Sequence, residues 1–206
     1  MATFLEEIKK YAQVGWEKYK INPTLTLSQA ILESGNGQSG LTKGANNVFG
    51  IKSTSSWTSQ GGQTTTMQTK EDDGTGNYYT INAGFRKYNS IEESFNDYFN
   101  LLSGASRYSK VLNVTDNEKV LELQGTTGYA TDTRYSQKLK NVASQYGLYE
   151  IANDIMNSKT VSDIDLGNNI NLNVKSSYSA TEVASILILL AVGLVGIQGV
   201  KNFVEN

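Results

Sequence analysis

Residues 25–40 read LTLSQAILESGNGQSG, and a single carboxylate, Glu33, stands between the apolar run Ala30-Ile31-Leu32 and a cluster of glycines. A carboxylate beside buried surface is costly unless it is paired, protonated or used. Upstream, Asn22-Pro23 closes a first helix, because the residue before proline is driven out of helical backbone. Thr26 and Gln29 then have the Thr-x-x-Gln spacing of a capping box, which predicts a second helix opening at Thr26 and stopping at Gly35. Its core stripe is Leu27, Ala30, Ile31 and Ser34. At ~100° per residue, Glu33 falls roughly 110° from the middle of that stripe, at its edge. An edge carboxylate can be partly desolvated and still face a cleft. Gly35, Gly37 and Gly40 also fit Gly-x-Gly-x-x-Gly, but a dinucleotide site needs a strand before the glycines. Here a capped helix precedes them, so they read as a helix C-cap and a tight turn.

Working outward, Phe4, Leu5, Ile8, Tyr11, Ala12, Trp16 and Tyr19 form a helical stripe over residues 4–19. Residues 53–69 are rich in Ser, Thr, Gln and Gly, with Trp57 among them. QTTTMQTK and NYYTINAGFRKY flank EDDGTG, which predicts a β-hairpin turning over Asp73-Gly74. Ser90-x-x-Glu93 is a further capping box, followed by the stripe Ile91, Ser94, Phe95, Tyr98, Phe99 and Leu102 before Gly104. Thr115-x-x-Glu118 opens a short helix that ends at Gly125. Asp132 is expected to cap a longer one carrying Tyr135, Leu139, Val142, Ala143 and Tyr146, closed by Gly147. The fold class is therefore α+β, mostly α, a helical domain with an inserted β-hairpin lobe.

After about residue 153 the chain turns polar and Asn/Ser-rich, as a linker would be. Residues 183–200, VASILILLAVGLVGIQGV, then run 18 positions without a charge, and are expected to form a C-terminal hydrophobic helix that spans a bilayer or packs in an assembly. The expected organisation is a domain over 1–152, a polar linker over 153–180 and a hydrophobic segment over 181–206. The N-terminal MATFLEEIKKYAQ lacks a basic region followed by an apolar core and does not read as a secretory signal.

Composition narrows the chemistry. The chain has 206 residues, a net charge of −2, and neither cysteine nor histidine. Without a basic field there is no expectation of nucleic acid as a partner. Without His or Cys there is no Ser-His-Asp triad, no thiol nucleophile and no zinc site built on imidazole or thiolate. No serine lies three residues before a lysine, which removes the Ser-x-x-Lys nucleophile. The run EDDGTGN lacks the alternating ligand spacing of a calcium loop, so neither metal nor cofactor is expected. What remains is acid/base chemistry on Asp and Glu, with Glu33 and Glu71 as candidates. Twelve tyrosines and two tryptophans suit a carbohydrate cleft in which flat rings stack on sugar faces, and Trp57 and Tyr88 are candidates for such contacts.

TLTLSQAILESGNGQSGLTKGANNVFGIK, FRKYNSIEESFNDYFNLL, RYSKVL and GYATDTRYSQKLKNV together resemble the bacterial and phage glucosaminidases of glycoside hydrolase family 73, which include autolysins and flagellar peptidoglycan hydrolases. The resemblance runs from about Pro23 to Leu148, with its blocks in the family's order. It implies a lysozyme-like fold and hydrolysis of the β-1,4 bond between N-acetylglucosamine and N-acetylmuramic acid in peptidoglycan. By motif, Glu33 in AILESG matches the family's catalytic acid, and Glu71 in TKEDDG matches a second carboxylate on the hairpin lobe. Tyr129 in GYATD matches a tyrosine that engages the substrate's acetamido group, and Asn47 and Phe49 in NNVFGIK match cleft residues, with Asp132 beside them. Asn36 stands where many members have an aromatic residue, and Thr133 where Asp-Pro is usual. A wall hydrolase without a signal peptide needs delivery by lysis or injection, which points to a phage origin and to bilayer or virion partners through residues 183–200. Three other readings stay open: a muramidase or lytic transglycosylase of the same fold, a non-catalytic wall-binding or virion structural protein, and a membrane-active tail protein whose enzymatic domain is secondary.

Overall fold

The computed structural model describes residues 3–72 and 78–158; the side chains of residues 70–72, 78 and 79 lie outside that description, as do the hairpin turn at Asp73-Gly74 and the segment 183–200. Eight α-helices, one 3-10 helix and one two-stranded sheet are found among the described residues. In order they are α1 (Phe4–Tyr19), α2 (Pro23–Ser34), α3 (Gly40–Ala45), α4 (Ser55–Ser59), β1 (Gln63–Asp72), β2 (Tyr78–Lys87), α5 (Ile91–Gly104), the 3-10 helix Ser106–Val111, α6 (Asn117–Gln124), α7 (Tyr135–Gln145) and α8 (Leu148–Asn157). The mostly helical α+β class with one inserted hairpin is as expected. Among the described residues no helix is long and apolar enough to cross a membrane.

The second helix departs from its expected form in an informative way. It begins at Pro23, with Pro in the first turn, where a missing N–H costs nothing, and with Asn22 as cap accepting from the Thr24 amide at 2.7 Å. Thr26 is therefore not a cap but an interior residue. Every residue from Pro23 to Ile31 is buried, because α1, α6, α7 and α8 all pack against this helix. A helix enclosed on all faces shows no clean amphipathic stripe, and this one opens three residues before the Thr26 that the spacing predicts. Glu33 emerges where this enclosure ends. The chain then leaves through Gly35 (φ 56°), Asn36 (φ 56°) and Gly37 (φ 78°), three left-handed residues in a row. Asn36, in place of an aromatic residue, suits that backbone, and a Cβ at Gly37 would come 2.6 Å from the Phe4 ring.

Other boundaries shift for similar local reasons. Ser90 caps α5 as expected, accepting from the Glu93 amide at 3.2 Å, while the Glu93 carboxylate reaches back to the amide of Asn89. Asp116, not Thr115, caps α6, its Oδ1 accepting from the amides of Glu118 and Lys119. Asp132 stands three residues before the start of α7 and closes a turn onto the amide of Arg134 at 2.8 Å. Gly147 (φ 63°) follows the end of α7 as expected and turns the chain directly into α8, which continues past residue 152 to Asn157. In the hairpin, Gln63 pairs with Lys87 and Asp72 with Tyr78, and the amides of Ser53 and Arg86 tie the strand β2 to the segment before α4.

Candidate active site

Glu33 sits at the floor of a cleft of about 820 Å³ whose walls include Phe49, Met67, Thr69, Tyr129 and Asp132. The end of α2, the segment carrying Phe49, the strand β1 and the loop leading into α7 are among the parts of the chain that converge there. Among the described residues the Glu33 carboxyl takes one hydrogen bond, from the Tyr135 hydroxyl to Oε1 at 2.6 Å. Burial pushes its pKa up from the ordinary 4.5, against smaller opposing pulls from that hydrogen bond and from the charge of Lys138. Its place one residue from the C-terminus of α2 adds to the upward push, since the partial negative charge there disfavours a carboxylate. Tyr98, Tyr129 and Tyr135 are held far above the ordinary tyrosine range, chiefly by burial. The phenols around Glu33 are therefore neutral donors, and the carboxyl, raised above an ordinary glutamate, is the group among them that exchanges a proton below the tyrosine range.

The expected site residues separate into two groups. Glu33, Phe49, Tyr129 and Asp132 line one cleft. The Phe49 ring stacks on Tyr98 with centroids 3.9 Å apart and planes 5° from parallel, and its carbonyl accepts from the Tyr129 hydroxyl at 3.2 Å. Asp132 is held ionised by Lys138 and by the Arg134 amide. Asn47, Trp57 and Tyr88 instead spend their polar groups inside the protein. Asn47 is buried and bonds to the amide and carbonyl of Ile51 and to the carbonyl of Arg86 at 3.0, 3.0 and 2.8 Å. It shapes the loop that carries Phe49. Trp57 donates its indole N–H to the Gln63 carbonyl and covers Gly62 so closely that a Cβ there would overlap the ring. Tyr88 donates to Asp97 at 2.6 Å. Glu71 pairs through its backbone with Tyr79, two residues beyond Thr69 on β1; its side chain lies outside the described residues. Among the described residues no cluster of acidic side chains is placed to hold a metal ion.

Two residues of the site escaped sequence reasoning. Tyr135 was read as core on its helical stripe, and it is buried, yet its hydroxyl reaches Glu33 from 102 positions away. Gln29 was read as half of a capping box; it is fully buried and donates to that same hydroxyl at 2.8 Å. A local signal existed for Gln29 alone, which stands four residues before Glu33 and hence on the same helical face.

Comparison with known proteins agrees with this arrangement. Residues 9–148 match the glucosaminidase family, described as mannosyl-glycoprotein endo-beta-N-acetylglucosaminidase. The exo-glucosaminidase LytG of Bacillus subtilis is 37% identical over 152 residues, 71% of this chain and 52% of that protein. The peptidoglycan hydrolase FlgJ of Vibrio parahaemolyticus is 35% identical over 144 residues, 68% of this chain and 46% of its own length. The chain thus spans about half the length of the curated relatives it matches. Among solved structures, the catalytic domain of the autolysin Auto from Listeria monocytogenes is 34% identical with a TM-score of 0.59, covering 72% of this chain and 85% of that one. A glycoside hydrolase domain of FlgJ from Salmonella typhimurium, also 34% identical, gives 0.57, with 70% and 95% covered. The chain belongs to the glucosaminidase family.

Proposed function

We propose that the chain hydrolyses the β-1,4 bond between N-acetylglucosamine and N-acetylmuramic acid in peptidoglycan, with Glu33 as general acid. The observation that carries this reading is the state of Glu33: half-buried in the cleft, shifted toward its protonated form, and engaged on Oε1 alone by donors among the described residues. A protonated carboxyl so placed can deliver its proton to a glycosidic oxygen as the bond to the anomeric carbon breaks. The positive charge that develops on the sugar is then met by water. Glu71 is assigned to activating that water, a role supported by its position on β1, the strand whose Met67, Gln68 and Thr69 line the cleft. The Tyr129 hydroxyl, held on the Phe49 carbonyl at the long distance of 3.2 Å, is available to exchange that partner for the substrate's acetamido group.

The choice of bond draws support from the family match and from the relative named as a glucosaminidase. The deciding experiment digests purified peptidoglycan with the parent and with Glu33→Gln. Mass spectrometry of the products shows N-acetylglucosamine at the new reducing end under this reading. A muramic acid end makes the enzyme a muramidase, and a 1,6-anhydro end makes it a transglycosylase. No release by the parent leaves a wall-binding protein. The anomer formed assigns the second step: inversion is expected with Glu71 as base, and retention transfers the attack to the substrate's acetamido group.

A further inference from the structure

We infer that Gln29 is a positioning residue that fixes the direction of the Tyr135 hydroxyl, so that Glu33 keeps its transferable proton on Oε2. The inference rests on Glu33 as the general acid and concerns how that acid is held ready.

The geometry is a branched chain of buried hydrogen bonds ending at the carboxyl. Oε1 of Gln29 accepts from the Tyr98 hydroxyl at 2.6 Å and from Nε2 of Gln124 at 3.1 Å. With its oxygen held by two donors, Gln29 turns its amide N–H to Tyr135, 2.8 Å away. That contact occupies the acceptor side of the phenol oxygen. Tyr135 then has one hydrogen left to place, and it goes to Oε1 of Glu33 at 2.6 Å. Gln29, Tyr98 and Gln124 are fully buried and Tyr135 nearly so; four helices, α2, α5, α6 and α7, contribute one residue each.

The consequence is a choice between the two carboxyl oxygens. A protonated carboxyl has one oxygen that donates and one that accepts. Tyr135, as donor, makes Oε1 the accepting carbonyl, so the acidic hydrogen stands on Oε2, which no donor among the described residues reaches. If Tyr135 were free to accept, the Glu33 proton would be drawn back into the protein and away from the cleft. Each link also polarises the next, so a Tyr135 hydroxyl that accepts from Gln29 is the stronger donor to Glu33. Among the described residues, the charged and titratable groups that act on Glu33 are Tyr135 and Lys138 on α7, Tyr98 on α5 and Tyr129 in the preceding loop, while Lys52, Arg86, Arg107, Tyr108 and Asp132 line the same cleft. Burial keeps the tyrosines neutral throughout the working range, so they act on the carboxyl as hydrogen-bonding groups and not as charges.

The test measures kcat, KM and the pH profile of kcat/KM for the full chain on solubilised peptidoglycan, in the parent, Gln29→Met, Tyr135→Phe and the double variant. Loss of the donor to Oε1 moves the Glu33 pKa upward, so the alkaline limb shifts to higher pH in Tyr135→Phe and by less in Gln29→Met. In both, kcat falls by ~10–100-fold through misplacement of the acid, with KM nearly unchanged. In the double variant, Gln29→Met adds nothing to Tyr135→Phe, because its route to the carboxyl is already cut. An unshifted limb in folded Gln29→Met, or losses that multiply in the double variant, overturns the inference. Should Gln29→Met not fold, Tyr98→Phe removes a single oxygen from the same chain. A shifted limb then supports the inference and a parental profile overturns it. Glu33→Gln is run alongside: if it retains full activity, the acid is assigned wrongly and the failure lies with the proposed function instead.

Discussion

The Tyr135 hydroxyl donates to Glu33 Oε1 across 2.6 Å, joining the last turn of α2 to the first residue of α7. That one contact explains why the carboxyl tolerates its setting. Burial raises its pKa, one hydrogen bond keeps it from being an orphan, and the second oxygen remains for the cleft. The opposing effects are unequal: desolvation outweighs the hydrogen bond and Lys138 together, leaving an acid that is protonated over a wider pH range than an ordinary glutamate.

Glu33→Gln is expected to abolish hydrolysis while raising stability at neutral pH. The amide keeps the shape but has no proton to give, and loss of a general acid typically costs ~10²–10⁴ in rate. The stability effect follows from linkage. A carboxyl whose pKa is raised on folding favours the native state fully below its unfolded value, near 4.5, and progressively less as pH rises through the folded value. Removing the group lifts that penalty, so the variant's melting temperature should exceed the parent's at pH 7 and lose its advantage near pH 4. Thermal melts at the two pH values check this, and equal behaviour at both would mean that Glu33 is not desolvated.

Lys138→Met should move the alkaline limb of kcat/KM to higher pH. The Lys138 charge pulls the Glu33 pKa down and also pairs with Asp132 at 2.5 Å. Removing the cation withdraws that pull and unmasks the Asp132 charge, and both changes favour protonated Glu33. Added salt should shift the parent's limb in the same direction by screening the same charge. A limb that moves downward contradicts the electrostatics drawn here.

The parts of the fold that sequence patterning could show were those with a solvent-facing side. The stripe of α5 was legible because one face packs and the other does not, and the hairpin because a turn sequence stands between its two strands. Helix α2 was legible only at its end: Glu33 against the glycines announced itself, but the enclosed stretch from Pro23 to Ile31 carries no contrast between faces. Tyr135 and Gln29 stayed hidden because buried tyrosine and buried glutamine look like core and cap until their partners are known. Those partners lie on other helices, 106 positions apart for Gln29 and Tyr135 and 95 for Gln29 and Gln124. Asn47 stood out for its place in a motif and Tyr88 as an aromatic side chain suited to a sugar face, yet their bonds serve the walls behind the cleft.

Asn47→Ala should damage stability and catalysis together. It deletes three hydrogen bonds, two of them to Ile51, and leaves buried backbone groups unsatisfied. At ~1 kcal/mol per bond the loss is about 2–3 kcal/mol. The loop it frees carries Phe49, which stacks on Tyr98 and receives the Tyr129 hydroxyl, so KM for the glycan should rise as the melting temperature drops. A rise in KM without any loss of stability would make Asn47 a substrate contact instead.

The hairpin is anchored by a second polar cluster, and cutting it should affect binding without touching the acid. The Arg86 guanidinium lies 2.7 Å from both oxygens of Asp97 and 4.6 Å from the centre of the Trp57 ring, while Asp97 also accepts from Tyr88. Arg86 and Asp97 are less than one-fifth exposed. Asp97→Ala therefore leaves a largely buried cation without its counter-charge, which typically costs ~3–5 kcal/mol. Trp57→Phe keeps the stacking partner and loses the indole bond to Gln63, for about 1 kcal/mol. Since β1 and Arg86 both form cleft wall, the two variants should raise KM in the order Asp97→Ala above Trp57→Phe. None of the contacts they remove reaches Glu33, so the alkaline limb of kcat/KM should stay where the parent has it. Denaturant melts rank the stabilities, and the pH profile separates the two clusters: a limb that moves in Asp97→Ala would show the hairpin anchor and the acid to be one coupled unit.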